Sequence, residues 1–418
     1  MKKYIAILFL AVTGLAAHAQ ETPAKFKLYG FIRNYAVADT RAVNAGTEDL
    51  YFYMPKAVSM TDGFDENAGF NWRFVSLTTR LGLDVSGYKF NNLGVSGKVE
   101  ADFYNLSGSV AILRLRQAFM KLTWDESPVT LTIGQAWHPM AADMPHMNNL
   151  ETGAPFNPFN RSPQLTADVK LGDNLTFTAS LLYLNHYLPT GPNNVKSKDY
   201  YKYGLPELYM GLSYKDGGFL GRVGLDMTNI RPYRTHADWR VADALTPPTI
   251  EVKSLMTTFS PFFYAQYTEG LFQVKAKSIL AQSGEHMNLL SGYGVHSFND
   301  DGTISYTPMQ DWASFLSFSY GKKFQVMAML GYMKQLGTTA DLTDNQLWMN
   351  TSADVHIQQA LRATPTVAWN IGKFTVSLEY NLTAAEFGTG TRDARGMFTG
   401  TPEWVLNHRF ICMTKFNL

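Results

Sequence analysis

Arg114 and Arg116 stand two residues apart in SVAILRLRQAFMKLTW (109–124), a run that is otherwise largely apolar. A guanidinium is planar, permanently charged, and carries a fork of N–H donors that matches a carboxylate or a phosphate. Two of them on one side of an extended segment can hold a small anion by charge and hydrogen bonding. In this run Leu113, Leu115 and Phe119 share one parity while Arg114 and Arg116 share the other. An arginine turned to lipid near a bilayer midplane costs roughly 2–4 kcal/mol. The pair is therefore expected to face a wet interior, with Leu113, Leu115 and Phe119 facing the membrane.

That expectation requires elements that have two faces, and the chain supplies them throughout. Segments 75–85, 95–103, 165–171, 175–181, 324–330 and 374–382 alternate apolar with small or polar side chains. Period two is the signature of extended strand with one apolar face. Tight links at 88–92, 125–127, 172–173, 215–218, 268–270, 321–323 and 372–373 alternate with long ones at roughly 38–71, 139–161, 186–205, 231–251, 284–311, 336–357 and 387–403. Only the link near 106–110 breaks that sorting by being short. The count is about sixteen strands, an even number. An all-β fold is expected, a transmembrane antiparallel β-barrel with short periplasmic turns and long extracellular loops.

A soluble sandwich or propeller also alternates, but its loops need not sort into short and long classes. Four tight turns are flanked by aromatics on the apolar parity: Tyr214 and Phe219, Tyr267 and Phe272, Tyr320 and Phe324, Trp369 and Phe374. Such pairs form the girdle at one membrane interface. The last segment, LNHRFICMTKFNL, alternates to its end, so it is expected to pair with the first, FKLYGFIRNYAV (26–37), and leave no open edge. Cys412 then reads as a small lipid-facing residue.

Lys2 and Lys3, an apolar stretch to Ala16 and the Ala17-His18-Ala19 cleavage site read as a secretory signal peptide over 1–19, leaving 20–418 as one barrel domain. Of all residues 17% are charged and 14% aromatic, and the mature chain is near neutral, which argues against a nucleic-acid partner. A single cysteine excludes an intramolecular disulfide.

The same parity sends Arg80, Lys98, Lys170, Arg222, Lys275, Lys277, Arg362 and Arg409 inward, together with Asp84, Glu100, Asp102, Asp168, Asp226 and Glu379. Arg33 lies on a strand with two apolar faces and is placed inward on cost. The loop 138–161 holds four prolines, which restrict its backbone, and by analogy with general porins it is expected to fold into the lumen opposite Arg80, Arg114 and Arg116. His138, Met140, Met144, His146 and Met147 resemble a soft-metal set, but their spacing fits no ligand motif. Asp62, Asp65 and Glu66 lack the spacing of a calcium loop. No metal or cofactor is therefore expected. The histidines are scattered and no G-x-S-x-G element occurs, so neither a barrel hydrolase nor any other enzyme is favoured. A structural or adhesive barrel would be supported by a plugged lumen or an extra folded domain, and no spare length for either is expected.

At GFIR (30–33), TRLGLDV (79–85), GKVEADF (97–103), RLRQAF (114–119), GQAW (134–137) and RSPQ (161–164) the chain resembles the DcaP-like trimeric porins associated with dicarboxylate uptake. The resemblance spans the first six strands. It implies a sixteen-stranded homotrimer in the outer membrane that passes small organic anions, with Arg33, Arg80, Arg114, Arg116, Gln135, Trp137, Arg161 and Gln164 in the corresponding places. Gln117 and Ala136 depart from the family's common His and Thr. The sequence thus points to passive diffusion of small anionic organic solutes such as dicarboxylates through an arginine-lined constriction in outer-membrane lipid. A phosphate-selective or general porin is the alternative.

Overall fold

A computed structural model describes residues 21–418 except 106–110, 151, 242–244, 345 and 350–354. The expected signal peptide lies outside the described residues. Sixteen antiparallel strands close into a barrel. The first four are β1 (Lys25–Arg41), β2 (Ala68–Val75 continued by Arg80–Phe90), β3 (Leu93–Tyr104) and β4 (Ile112–Trp124). They are followed by β5 (Val129–Trp137), β6 (Arg161–Lys170), β7 (Leu175–Leu182), β8 (Glu207–Asp216), β9 (Phe219–Ile230) and β10 (Met256–Glu269). The circuit ends with β11 (Phe272–Gln282), β12 (Ile304–Gly321), β13 (Phe324–Thr338), β14 (Ile357–Ala363 with Thr366–Ile371), β15 (Phe374–Phe387) and β16 (Glu403–Asn417). Among the described residues no helix is long and apolar enough to cross a membrane.

Closure is made where the sequence places it. β1 pairs with β16 from Phe31↔Asn417 to Asp39↔Arg409, and its first half also pairs with β2. At the last rung Asp39 takes Arg409 Nε and Nη2, each at 2.8 Å, and both side chains are fully buried. Arg73 of β2 also pairs with Asp39. A charge-assisted fork therefore bolts the chain's two ends together inside the wall.

The outer face is apolar and the turns carry the girdle. Phe219 sits opposite Tyr267, Phe272 opposite Tyr320 and Phe324 opposite Trp369, all exposed on the outer wall. Aromatic rings at this height have an apolar body for lipid and a polar tip for the interface.

The inside is less watery than the parity argument supposes. Three loops turn inward: 42–67 after β1, 138–160 after β5, and 283–303 after β11. Phe52 and Met54 from the first, Met140 and Phe156 from the second, and Met287 and Leu289 from the third are completely buried. All but Phe52 pack with Tyr264, Phe315, Met329 and Met333 of the inner wall in one apolar cluster, while the Phe52 ring lies under the guanidiniums of Arg362 and Arg409 at 4.6 and 4.5 Å. The hydrophobic core of this barrel thus lies within its lumen. Gly331 of β13 makes the contact possible: a Cβ there would stand 2.5 Å from the Phe156 ring.

Candidate functional site

The site is built on β1–β4, and its geometry turns on an irregularity in β4. Arg114 stands opposite Asp102 and Leu115 opposite Ala101, but the next matched pair is Gln117 with Glu100. Arg116 is therefore the extra residue of a β-bulge. Leu113 and Leu115 are exposed on the outer wall at 65% and 49%, and beyond the bulge it is Met120, at 48%, that faces out. Phe119 consequently lines the lumen with Gln117 and Lys121, correcting its expected lipid-facing position. A bulge shifts every following side chain to the other face, and the run itself carries the trace, since the apolar parity passes from Leu113 and Leu115 to Met120, Leu122 and Trp124 across the polar doublet Arg116-Gln117.

The bulge aims Arg116 along the wall. Its Nε meets Glu100 at 2.7 Å and its Nη1 meets Asp102 at 2.6 Å. Arg114 reaches the same Asp102 through Nε at 3.1 Å and Nη2 at 3.2 Å. Arg80 approaches Glu100 at 3.5 Å. Arg33 donates to the Thr78 hydroxyl from Nε at 3.2 Å and Nη2 at 2.8 Å and lies over the Phe31 ring at 4.7 Å. Arg161 stacks on Trp137 at 4.9 Å and on Phe159 at 5.4 Å. Neither Arg33 nor Arg161 has an ion-pair partner among the described residues. Five guanidiniums thus meet two carboxylates, and the cluster retains positive charge.

Four of the five, Arg33, Arg80, Arg114 and Arg116, line a cavity of about 170 Å³. Its other walls are Tyr51 of the first loop, Asn148, Leu150 and Phe159 of loop 138–160, and Tyr187 of the loop 183–206 after β7. A wider cavity of about 350 Å³ adjoins it along β4, where Gln117, Phe119 and Lys121 succeed Arg116, with Thr132, Asp168 and Arg222 opposite. Burial, reinforced by Arg161 and Arg114, pushes His186 down to about 4, so its imidazole is neutral. Burial raises the Tyr187 phenol to about 12 and keeps it protonated. The positive charge of the pocket is therefore permanent.

Loop 138–160 crosses the lumen and is tied to the far wall. Arg222 meets Asp143 at 3.3 Å, Lys275 donates to Met144 O at 3.0 Å, and Lys277 donates to Met140 O and Asn157 Oδ1, both at 2.7 Å. Arg362 donates to Ala154 O at 3.0 Å and to Tyr53 O at 2.7 Å, clamping two inward loops with one side chain. Glu379 accepts from the Asn148 amide. Several charges read as pore-facing from parity are thus anchors for loops.

The remaining residues singled out in the sequence separate by task. Gln135 donates to Leu115 O at 3.3 Å and Arg116 O at 3.0 Å, satisfying carbonyls that the bulge takes out of the ladder. Trp137 presents its ring between Arg116, at 5.9 Å, and Arg161. Gln164 donates to Trp137 O at 3.0 Å, accepts from Thr166 at 2.9 Å and lines the wider cavity. The His138/Met set does not assemble: His146 turns to Gln273 at 2.7 Å, while His138 joins Glu207, Asp226 and His286 elsewhere. Asp65 spends its carboxylate on Arg41 at 2.7 Å and on the Ser59 and Asn67 amides at 3.0 and 3.1 Å, an Asx-type turn. Sequence reasoning missed Glu207 and His286, whose partners lie far away in the chain, and the aromatic lining Tyr51, Phe159 and Tyr187, which lies on loops without periodicity.

No family model and no curated protein matches the chain. Solved structures do. The outer-membrane channel DcaP of Acinetobacter baumannii matches with a TM-score of 0.66 at 17% identity, over 97% of this chain and 100% of that one. An anion-selective porin from Comamonas acidovorans matches with a TM-score of 0.54 at 9% identity, over 95% and 100%. A trimer form of OmpT, an outer-membrane protein of Vibrio cholerae, matches with a TM-score of 0.52 at 12% identity, over 95% and 100%. At such identities the likeness speaks for the backbone. The chain has the closed sixteen-stranded fold of the outer-membrane porins, DcaP among them.

Proposed function

We propose that the protein is a passive outer-membrane channel for small anionic organic solutes, with Arg33, Arg80, Arg114, Arg116 and Arg161 attracting the solute's carboxylates. One observation carries this reading: five guanidiniums converge where two carboxylates oppose them, beside a cavity closed by an inward loop. Charged rings at a constriction select by sign, because the narrow path replaces part of the solute's hydration. Tyr51, Phe159 and Tyr187 add apolar surface, which suits an organic carboxylate better than phosphate. DcaP is a channel and the Comamonas protein an anion-selective porin, both in agreement with this reading. The channel catalyses no reaction in it.

We also propose a homotrimer. The outer wall carries an apolar groove of about 880 Å³ with small residues Ala36, Ala38, Ala328 and Cys412 on its floor and Trp72, Phe318 and Phe410 among its sides. Small residues let two walls approach closely. A phosphate-selective channel is the second reading, since the same fork binds phosphate.

The deciding experiment is a reversal potential in a planar bilayer under a salt gradient, followed by block with benzoate, a dicarboxylate and phosphate. Anion selectivity with block by the organic acids is expected. Cation selectivity would sink the reading, and block by phosphate alone would favour the second.

A further inference from the structure

His138, Glu207, Asp226 and His286 meet in the wall on the far side of loop 138–160, and the transport reading uses none of them. Glu207 opens β8, Asp226 is on β9, His138 begins the inward loop, and His286 lies in the short helical turn Gly284–Met287 of the third inward loop. All four side chains are at most 1% exposed. No arginine or lysine pairs with the cluster among the described residues.

The cluster sets two buried carboxylates against two imidazoles. His138 Nε2 stands 2.6 Å from Glu207 Oε1, while the Met140 amide donates to His138 Nδ1 at 3.1 Å. A ring nitrogen that accepts a hydrogen bond presents a lone pair, so the His138 proton that Glu207 receives is on Nε2. His286 Nε2 lies 3.3 Å from Asp226 Oδ2 and 3.5 Å from Glu207 Oε1. These two separations exceed the usual N–H···O distance of about 2.9 Å. They agree with the spacing of about 3.3 Å between donors that bind one cation tetrahedrally at about 2.0–2.1 Å. Glu207 Oε2 and Asp226 Oδ1 are buried and have no hydrogen-bond partner. Two desolvated carboxylates with two orphaned oxygens are costly unless a cation compensates them.

We infer that Glu207, Asp226 and His286 form a binding site for a divalent transition cation such as Zn²⁺ or Mn²⁺, with His138 as the positioning residue that orients Glu207. Carboxylate and imidazole donors suit these ions, and a histidine that fixes a ligating carboxylate is the usual outer support. The ion joins β8 and β9 to the third inward loop through its ligands and, through His138, to the base of loop 138–160. It is a structural rivet beside the channel.

The test uses the full-length protein in detergent, stripped with chelator and reloaded with Mn²⁺ or Zn²⁺. One tightly held cation per chain is expected, with the Mn²⁺ spin-echo spectrum showing one histidine nitrogen. Glu207→Gln combined with Asp226→Asn should abolish retention, His286→Ala should remove the nitrogen signal, and His138→Ala should weaken binding by about 10–100-fold. Heat-modifiable electrophoretic mobility checks that each variant is a folded barrel. Should a variant not fold, Zn²⁺ must still raise the unfolding temperature of the stripped wild-type protein. Wild-type retention no greater than that of the folded double carboxylate variant, or no stabilisation by Zn²⁺, overturns the site. Two histidine nitrogens on Mn²⁺ overturn the role given to His138.

Discussion

The arginines of the pocket are alike in charge but not in circumstance, and substitution should separate them. Arg116 is buried with both Glu100 and Asp102 on its guanidinium. Arg116→Ala strands two desolvated carboxylates, and a loss of about 3–5 kcal/mol is expected in urea unfolding. Arg33 is half-buried and holds no carboxylate, so Arg33→Ala should leave unfolding nearly unchanged, whereas Arg161→Ala, which empties a buried site between Trp137 and Phe159, should cost stability through lost packing. A unit charge acting through water at about 6 Å attracts an anion and repels a cation by about 0.7 kcal/mol each, so each substitution should lower the anion-to-cation permeability ratio about tenfold. The bilayer reversal potential measures this. An unchanged ratio in both variants would remove these arginines from the selectivity filter. A pH scan makes a further check. His186, the imidazole facing Arg161 and Arg114, is held down to about 4 and stays neutral above that value. Selectivity should therefore hold steady between about pH 5.5 and 8, where an ordinary histidine would switch.

At the scale of elements, the inward loop and the seam carry distinct loads. Lys277 and Arg362 hold loop 138–160 to β11 and β14, and Arg362 holds the first loop as well. Replacing both by Ala should release the loops without opening the barrel, since no strand ladder depends on them. Single-channel recording should then show higher conductance with frequent flicker. A quiet channel of unchanged conductance would mean that the apolar packing of Phe156 against Gly331 suffices. The seam behaves differently. Arg409→Ala leaves buried Asp39 with Arg73 and the Asn407 amide but without its buried ion-pair partner, and about 3–5 kcal/mol of stability should be lost. Loss of the compact, heat-modifiable band at a lower temperature than wild type reports it.

For the whole molecule, the channel is what remains after three loops have filled part of a sixteen-stranded cylinder. The barrel gives a wall whose two faces serve lipid and lumen. The inserted core removes the far side of that lumen and leaves the β1–β4 wall, where the guanidiniums stand, facing loop 138–160. The arginine-lined cavity and the packed loops thus occupy different sides of one cylinder. In a trimer, the apolar groove floored by Ala36, Ala38 and Cys412 would be covered. Cross-linking in outer-membrane extracts should yield a band at three times the chain mass, and Ala38→Trp should reduce it to the single chain.

The sequence by itself determined the barrel, its strand number, the sorting of its turns and, Phe119 apart, the outward residues read on β4, because a period of two and the cost of charge in lipid act locally along each strand. It also determined that Arg114 and Arg116 face inward. The parity switch within 113–124 is in the sequence, but the tertiary structure decided that Arg116 is the extra residue and that Phe119 turns into the lumen, because a bulge is a property of two strands in register. It decided as well which inward charges line the open cavity and which hold loops: Lys277, Arg362 and Glu379 have the same alternation as Arg80 and Arg114 but different partners. Partners come from loops that carry no periodicity, and their choice depends on how an apolar loop finds the space a closed barrel leaves it.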